Sequence, residues 1–429
     1  MIDSSRIARR WKPWEFVAAV VFLVNGLISL AQDIPLPSDD YQPRLKKRKI
    51  PDPLPSQPNL SPALSIPLDP LGFGPPGPTY LGRHYALLSL DFLDENHLLF
   101  SFRAPGLLHR DAGNDASSEI RQMRAVVVTL PDGKIESKTL WTVPDLERYV
   151  WPLRDGRFLL RDRDGLQIGD STLETKPFLK LSGELLSIQV DPSQKVLVTR
   201  SMQASADKPN PSAGGNGANG SGPAPRVVER VVDLASGRVI ETQPIRAANQ
   251  LPVTSEGYLA ITHDKIDQWS LKLNPFAGST RVLGHVESTC LPDSFPVSDR
   301  EFLVTGCNPA HNRKITAVTA SGQKMWETEI PDPVVPPLLL MSPDGSRIAR
   351  ETIVLNNGVK PGAQTLWVKA VKGQVVRVFD AASGKAVLET PVSPTLDGGG
   401  NVAVSPSGRR IAVLNGGAIA VFDLPPVAP

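Results

Sequence analysis

One pattern of polar and apolar positions recurs along the chain. A short turn of Asp, Ser, Gly, Pro or Asn gives way at once to an apolar, largely β-branched run. Asp94-Glu95-Asn96 precedes HLLFSF, Arg154-Asp155-Gly156 precedes RFLLRD, and Asp191-Pro192-Ser193-Gln194 precedes KVLVTR. Ser255-Glu256-Gly257 precedes YLAIT, and Ser298-Asp299-Arg300 precedes EFLVTG. Ser342-Pro343-Asp344-Gly345 precedes SRIARE, and Ser405-Pro406-Ser407-Gly408 precedes RRIAVLN. Apolar runs of this length bounded by turn formers read as strands, and their regular return reads as a repeat architecture. Seven such hairpins predict an all-β chain folded as a seven-bladed β-propeller.

A second turn signature follows several later strands: Pro131-Asp132-Gly133-Lys134, Ala235-Ser236-Gly237-Arg238, Ala320-Ser321-Gly322-Gln323 and Ala382-Ser383-Gly384-Lys385. Glycine supplies the positive φ that such tight hairpins need. Together the two signatures spell a four-stranded antiparallel unit: inner strand, first turn, second strand, loop, third strand, Ser-Gly turn, outer strand. The blades read as 86–144, 148–181, 185–245, 250–286, 289–330, 335–392 and 400–424. The last lacks an outer strand. A segment near Thr79–Tyr85 is expected to supply it, which would remove the open edges of an unfinished ring.

Ser342-Pro343-Asp344-Gly345-Ser346-Arg347-Ile348-Ala349 and Ser405-Pro406-Ser407-Gly408-Arg409-Arg410-Ile411-Ala412 resemble the repeat of bacterial WD-repeat-like and YVTN-type propellers. Asp233-x-x-Ser236-Gly237 and Asp380-x-x-Ser383-Gly384 resemble the outer hairpin of the same group. The resemblance covers most of 86–424. It implies the propeller fold and says little of function, because that group hosts many unrelated roles.

The N-terminus changes the picture by adding an address. Arg6, Arg9, Arg10 and Lys12 precede an apolar run from Phe16 to Leu30 that ends in small residues at Ser29 and Ala31. The run is short for a bilayer span of roughly 20 residues, so it reads as a cleaved export signal, the alternative being an uncleaved anchor. From Gln32 to Pro78 proline recurs too often for helix or sheet, and an extended spacer is expected. It carries the basic run Arg44 to Lys49. The predicted organisation is a signal or anchor over 1–31, a Pro-rich linker over 32–79 and a propeller over 80–429. A formal net charge of +2 on 429 residues argues against nucleic acid as a partner.

Three blades carry long insertions, all between their second and third strands: Arg103–Gln122, Met202–Pro225 and about Val354–Gly373. In a propeller those connections leave on one face, with the links between blades, and function gathers on loops held by a rigid frame. Binding is therefore expected there. His109, Arg110 and Arg121 in the first blade and Lys360, Trp367 and Lys369 in the sixth are the candidate contacts, with the mixed aromatic and basic character of interaction surfaces.

Catalytic signals are few. The two cysteines, Cys290 and Cys307, lie equally far from the midpoint of Ser298-Asp299. A regular hairpin would set them opposite one another, so a cross-strand disulfide is expected if the chain is exported, with buried thiols or a zinc site as alternatives. The six histidines form no metal-ligand spacing, and no nucleophile elbow or phosphate loop is present. No metal or cofactor is expected. Ser321-Gly322-Gln323-Lys324-Met325-Trp326 is similar to the docking repeat of quinone-binding propellers, but Val318 stands where that family has Asp. Trp326 then reads as packing between blades. Of the inner strands, only those with Asp91 and Gln189 carry a polar exception. The favoured function is a non-catalytic, exported, monomeric module that binds an envelope protein or surface ligand. The alternative is a lactonase- or hydrolase-like enzyme with polar groups converging at the central channel.

Overall fold

A computed structural model describes residues 54–55, 57–74, 79–80, 88–104, 109–110, 119–144, 148–203, 226–245, 251–310, 312–330, 337–356 and 370–427. Residues 1–31, read above as an export signal or anchor, the basic run 44–49 and most of the three insertions lie outside the described residues.

The repeat becomes seven antiparallel blades with no α-helix among the described residues. The third blade shows the strand order best: Glu184–Val190, Val196–Gln203, Arg226–Asp233 and Val239–Ile245 pair in sequence from inside to outside. The first (Leu88–Phe92 to Ile135–Pro144), second (Val150–Pro152 to Thr175–Lys180), fifth (Asp293–Pro296 to Lys324–Glu329) and sixth (Leu338–Met341 to Ala386–Val392) follow it. The fourth blade has three full strands, from Gly257–Lys265 to Arg281–Glu287. A single bridge from Val253 to Tyr258 holds its inner position.

Seven apolar clusters account for the ring, because each joins two consecutive blades. Phe158 and Leu160 meet Leu99 and Val127 between blades one and two, and Leu185 meets Leu166 between two and three. The series continues through Val198 with Tyr258, Leu273 with Phe302, Leu303 with Ile348, and Val378 with Ile411. The last cluster, with Phe100 and Leu414, joins blade seven to blade one. A blade packed on both faces needs apolar side chains pointing both ways. Hence Leu98–Phe102 is buried at every position, whereas the outer strand Val239–Ile245 is exposed or half-buried throughout.

Side chains lock every first turn. Asp94 accepts from the amides of Asn96 and His97, Asp155 from Arg157, and Asp191 from Lys195 and Val196. Thr254, Ser298, Ser342 and Ser405 accept from Gly257, Arg300, Arg347 and Arg410 in the same way. These short polar side chains stand in for backbone partners that a tight turn cannot otherwise provide. Trp326 packs between blades as the sequence implied. Its Nε1 donates to Ala381 O at 2.7 Å, and its ring lies where a Cβ on Gly384 (φ 68°) would fall, 2.6 Å away.

The closing strand corrects the sequence reading. Leu64–Pro67, inside the segment taken as a spacer, is the outer strand of blade seven, with Ile66 opposite Ile419. Thr79–Tyr80 instead pairs in parallel with Thr395–Leu396. The physical reason is burial: Ile66, Leu68, Leu71 and Phe73 enter the apolar cluster between blades seven and one. The run LSIP has no internal proline to interrupt its ladder. Further upstream, Asn59 N donates to Glu389 O at 3.1 Å on blade six.

Candidate functional site

The topology places the three insertions as the sequence implied. They span the second-to-third strand connections of blades one, three and six, between Arg103 and Glu119, Gln203 and Arg226, and Leu355 and Val371. The same connection is short in blades two, four, five and seven, where strands resume at Gly165, Gln268, Arg313 and Ala418. His109–Arg110 is a short strand paired with Glu119–Ile120, and Arg121 continues that strand opposite Val143. Their side chains lie outside the described residues, as do Lys360, Trp367 and Lys369 altogether.

Cys290 and Cys307 are joined, with Cα atoms 5.4 Å apart. They are not directly opposite, because the observed register sets Asp293 against Thr305. Cys290 precedes the inner strand, in a bend gathered around buried Ser288. That hydroxyl accepts from the Cys307 amide at 2.9 Å and donates to Cys290 O at 2.6 Å. The one-residue offset is absorbed there.

Polar groups gather at two junctions between blades. Between blades one and two, Asp91 is buried. Ser89 Oγ donates to it at 2.5 Å and Arg148 Nη2 at 3.0 Å. Burial pushes its carboxyl up, against the opposing pull of Arg148 and Ser89. Tyr149 Oη meets Ser101 Oγ at 2.9 Å in the same cluster, and burial raises its phenol further.

Between blades six and seven, Gln374 Nε2 donates to Glu351 Oε2 at 2.9 Å and to Leu396 O at 3.1 Å. Its Oε1 accepts from Leu396 N and from Asn401 Nδ2, at 3.0 and 2.9 Å. Glu351 Oε1 and Asn401 Oδ1 are buried with no hydrogen-bond partner among the described residues. Burial pushes the Glu351 carboxyl up to about 8. A backbone step connects the two junctions: Leu90 N donates to Gly400 O at 2.8 Å. Gly400 has φ 95°, and a Cβ there would fall 2.4 Å from Leu88 O, so this approach requires glycine.

This arrangement joins buried carboxyl groups to polar side chains of the neighbouring strands and blade at two junctions. Asp91 was legible as a polar break in an apolar strand. Glu351 carried the same signal, a charge within the doubly buried strand Arg347–Leu355, and was missed. Arg148, Gln374 and Asn401 left no local trace. Gln189 Oε1 is buried without a partner among the described residues.

Ser270, His285 and Asp264 also meet. Ser270 Oγ donates to Asp264 and contacts His285 Nδ1 at 3.2 Å, while the same Nδ1 lies 3.4 Å from Asp264 Oδ2. A hydrolytic triad needs the acid on the ring nitrogen remote from the serine. Here one nitrogen faces both groups and Ser270 is buried. Among the described residues no group of three His, Cys, Asp or Glu could hold a metal ion.

No protein-family model matches the chain, and no curated protein matches it in sequence. Solved structures are similar in fold. The WD40 domain of Toxoplasma gondii coronin aligns at 10% identity over 88% of this chain and 86% of that one, with a TM-score of 0.43. Pyrococcus horikoshii acylaminoacyl peptidase aligns at 11% over 80% of this chain and 53% of that one, also at 0.43. The β-propeller domain of the Trilobed protease from Pyrococcus furiosus aligns at 10% over 72% and 97%, at 0.37. The chain is a seven-bladed β-propeller with WD40 and propeller-protease structural neighbours.

Proposed function

We propose that this propeller is a non-catalytic binding or scaffold module, exported to the cell envelope and monomeric, whose partner is another envelope protein or a surface ligand. One observation carries the reading. The long connections of blades one, three and six all join second to third strands, so they leave the frame on a single face. Closed packing between every pair of blades makes that face rigid, and rigid presentation lowers the entropy cost of binding. The basic N-terminal start and its apolar run support export.

The test replaces each connection in turn by an Asn-Gly hairpin and checks that thermal unfolding is unchanged. Partners are then recovered from envelope fractions after chemical crosslinking. Loss of a specific partner in at least one variant supports the reading. Identical recovery in all three sinks it.

A second reading, a lactonase- or hydrolase-like enzyme with its site at the central channel, draws on Glu351, a buried acid on the second strand of blade six whose carboxyl burial pushes up to about 8. Turnover of a lactone or ester panel that vanishes in Glu351→Gln would establish it.

A further inference from the structure

Among the described residues, the two most exposed large apolar side chains are Ile266 and Leu291, at 86% and 74%. Of the others, Ile135, Leu140, Val239, Ile240 and Val282 lie on outer strands at the sides of the blades, and Val427 follows the last strand. Ile266 and Leu291 lie elsewhere. Ile266 is in the second-to-third strand turn of blade four, and Leu291 is in the link from blade four to blade five. Both positions belong to the face that carries the long connections.

The backbone draws these two segments together. Ser288 N donates to Asp267 O at 2.9 Å, and Trp269 Nε1 donates to Ser288 O at 2.9 Å. His263 packs against Trp269 with ring centroids 4.7 Å apart and the rings tilted by 60°. Ser288 also clamps both cysteines, and the disulfide ties the residue before Leu291 to the end of the second strand of blade five. The apolar pair therefore projects from a fixed base. An anchor ordered in advance costs less to immobilise on binding.

Charge around the pair is one-sided. Asp264, Asp267, Glu287 and Asp293 are exposed carboxylates on the turn or on the strand ends beside it and the link, against Lys265 and the His285 imidazole that faces Asp264. Arg313, across from Cys307, has an interaction of its own. Ser270 donates to Asp264 and holds its carboxyl below the usual range. An apolar centre with an acidic rim suits a partner that offers aliphatic side chains among lysines or arginines. It repels an anionic bilayer, whose headgroups would meet the same carboxylates.

We infer that Ile266 and Leu291, with their acidic rim, dock a basic segment of a protein partner that carries an aliphatic anchor. This rests on the proposal that the long-connection face is the binding face, and it assigns that face a place and a chemistry.

The test uses the full chain and a short fluorescent peptide of alternating Lys and Leu, with a Glu and Leu peptide of the same length as comparison. Anisotropy is read at low and moderate salt. The Lys and Leu peptide binds, and added salt weakens it. Ile266→Ser and Leu291→Ser each weaken it about tenfold with an unchanged melting point, since both side chains point to solvent. Glu287→Gln and Asp293→Asn weaken it less and flatten its salt dependence.

Equal binding of the Glu and Leu peptide overturns the inference, as does wild-type affinity in both Ser variants. Recruitment to phosphatidylglycerol vesicles that compete with the peptide overturns it in favour of a membrane surface. The two proposals fail separately. Connection replacements that lose an envelope partner while the Ser variants still bind normally leave the broader reading standing and remove this one.

Discussion

Arg347 and Asp380 face each other across neighbouring strands of blade six, with Nη1 and Oδ2 2.9 Å apart and the arginine wholly buried. The arginine also donates from Nε to Gly408 O at 3.3 Å and from Nη2 to Pro425 O, both on the blade-seven side. The aspartate turns its second oxygen to Ser383, accepting from its amide at 3.0 Å and its hydroxyl at 2.8 Å. One ion pair thus ties the Ser-Gly turn of blade six to the first turn of blade seven.

Removing one partner strands a buried charge, which costs about 3–5 kcal/mol. Arg347→Met is expected to lower the free energy of unfolding in urea by that amount. The double variant Arg347→Met/Asp380→Leu is expected to lose less than Arg347→Met alone, because no charge is left unpaired. A double variant worse than the single would show that the pair does not act as a pair.

Glu351 sets a pH dependence whose sign follows from its raised carboxyl. Between its ordinary value of 4.5 and about 8 the folded chain keeps a proton that the unfolded chain releases. Folded stability therefore falls as pH rises through that window, by up to about 1.4 kcal/mol per pH unit, and levels off above it. Glu351→Gln keeps the shape and removes the charge. Urea midpoints of the variant and the native chain should nearly coincide at pH 5 and separate, with the variant more stable, toward pH 8. Parallel profiles would contradict the assignment.

The disulfide closes a loop with a sequence separation of 17, which in the chain-entropy model is worth about 3 kcal/mol. Cys290→Ser/Cys307→Ser is expected to unfold at correspondingly lower urea. Mass spectrometry of the native protein should find no reactive thiol before reduction. Alkylation of both cysteines without reductant would refute the pairing.

Ring closure depends on Ile66, which is buried and set against Ile419. Ile66→Ala should cost about 2–5 kcal/mol, whereas Ser65→Ala, an exposed position of the same strand, should cost little. Calorimetric melting of the two variants checks this. Equal effects would mean that the strand contributes backbone pairing but no core.

The blade boundaries were legible because what makes a blade is local. Side chains such as Asp94, Asp191 and Ser342 lock the turns in which they sit, and glycines such as Gly237 and Gly384 occupy left-handed positions that other residues resist. The packing role of Trp326 was legible as well, because Val318 stands in its repeat where the quinone-binding pattern has Asp. The closing strand was not. Leu64–Pro67 looks like one more piece of a proline-rich spacer until Ala418–Asp423 offers it an open edge, more than 350 residues away. The cysteine spacing pointed to a pair, but a bend at Ser288, invisible in the spacing, decided how the two side chains meet.

By itself the sequence determined the number of blades, their strand order and the face from which the long connections leave. Those features follow from turn chemistry and apolar patterning within a few residues. Tertiary structure alone decided which segment closes the ring, which charges are buried together, and that the segments carrying Ile266 and Leu291 are joined through Ser288 and Asp267. Each of those outcomes depends on strands distant along the chain meeting in register, and no local preference encodes the meeting.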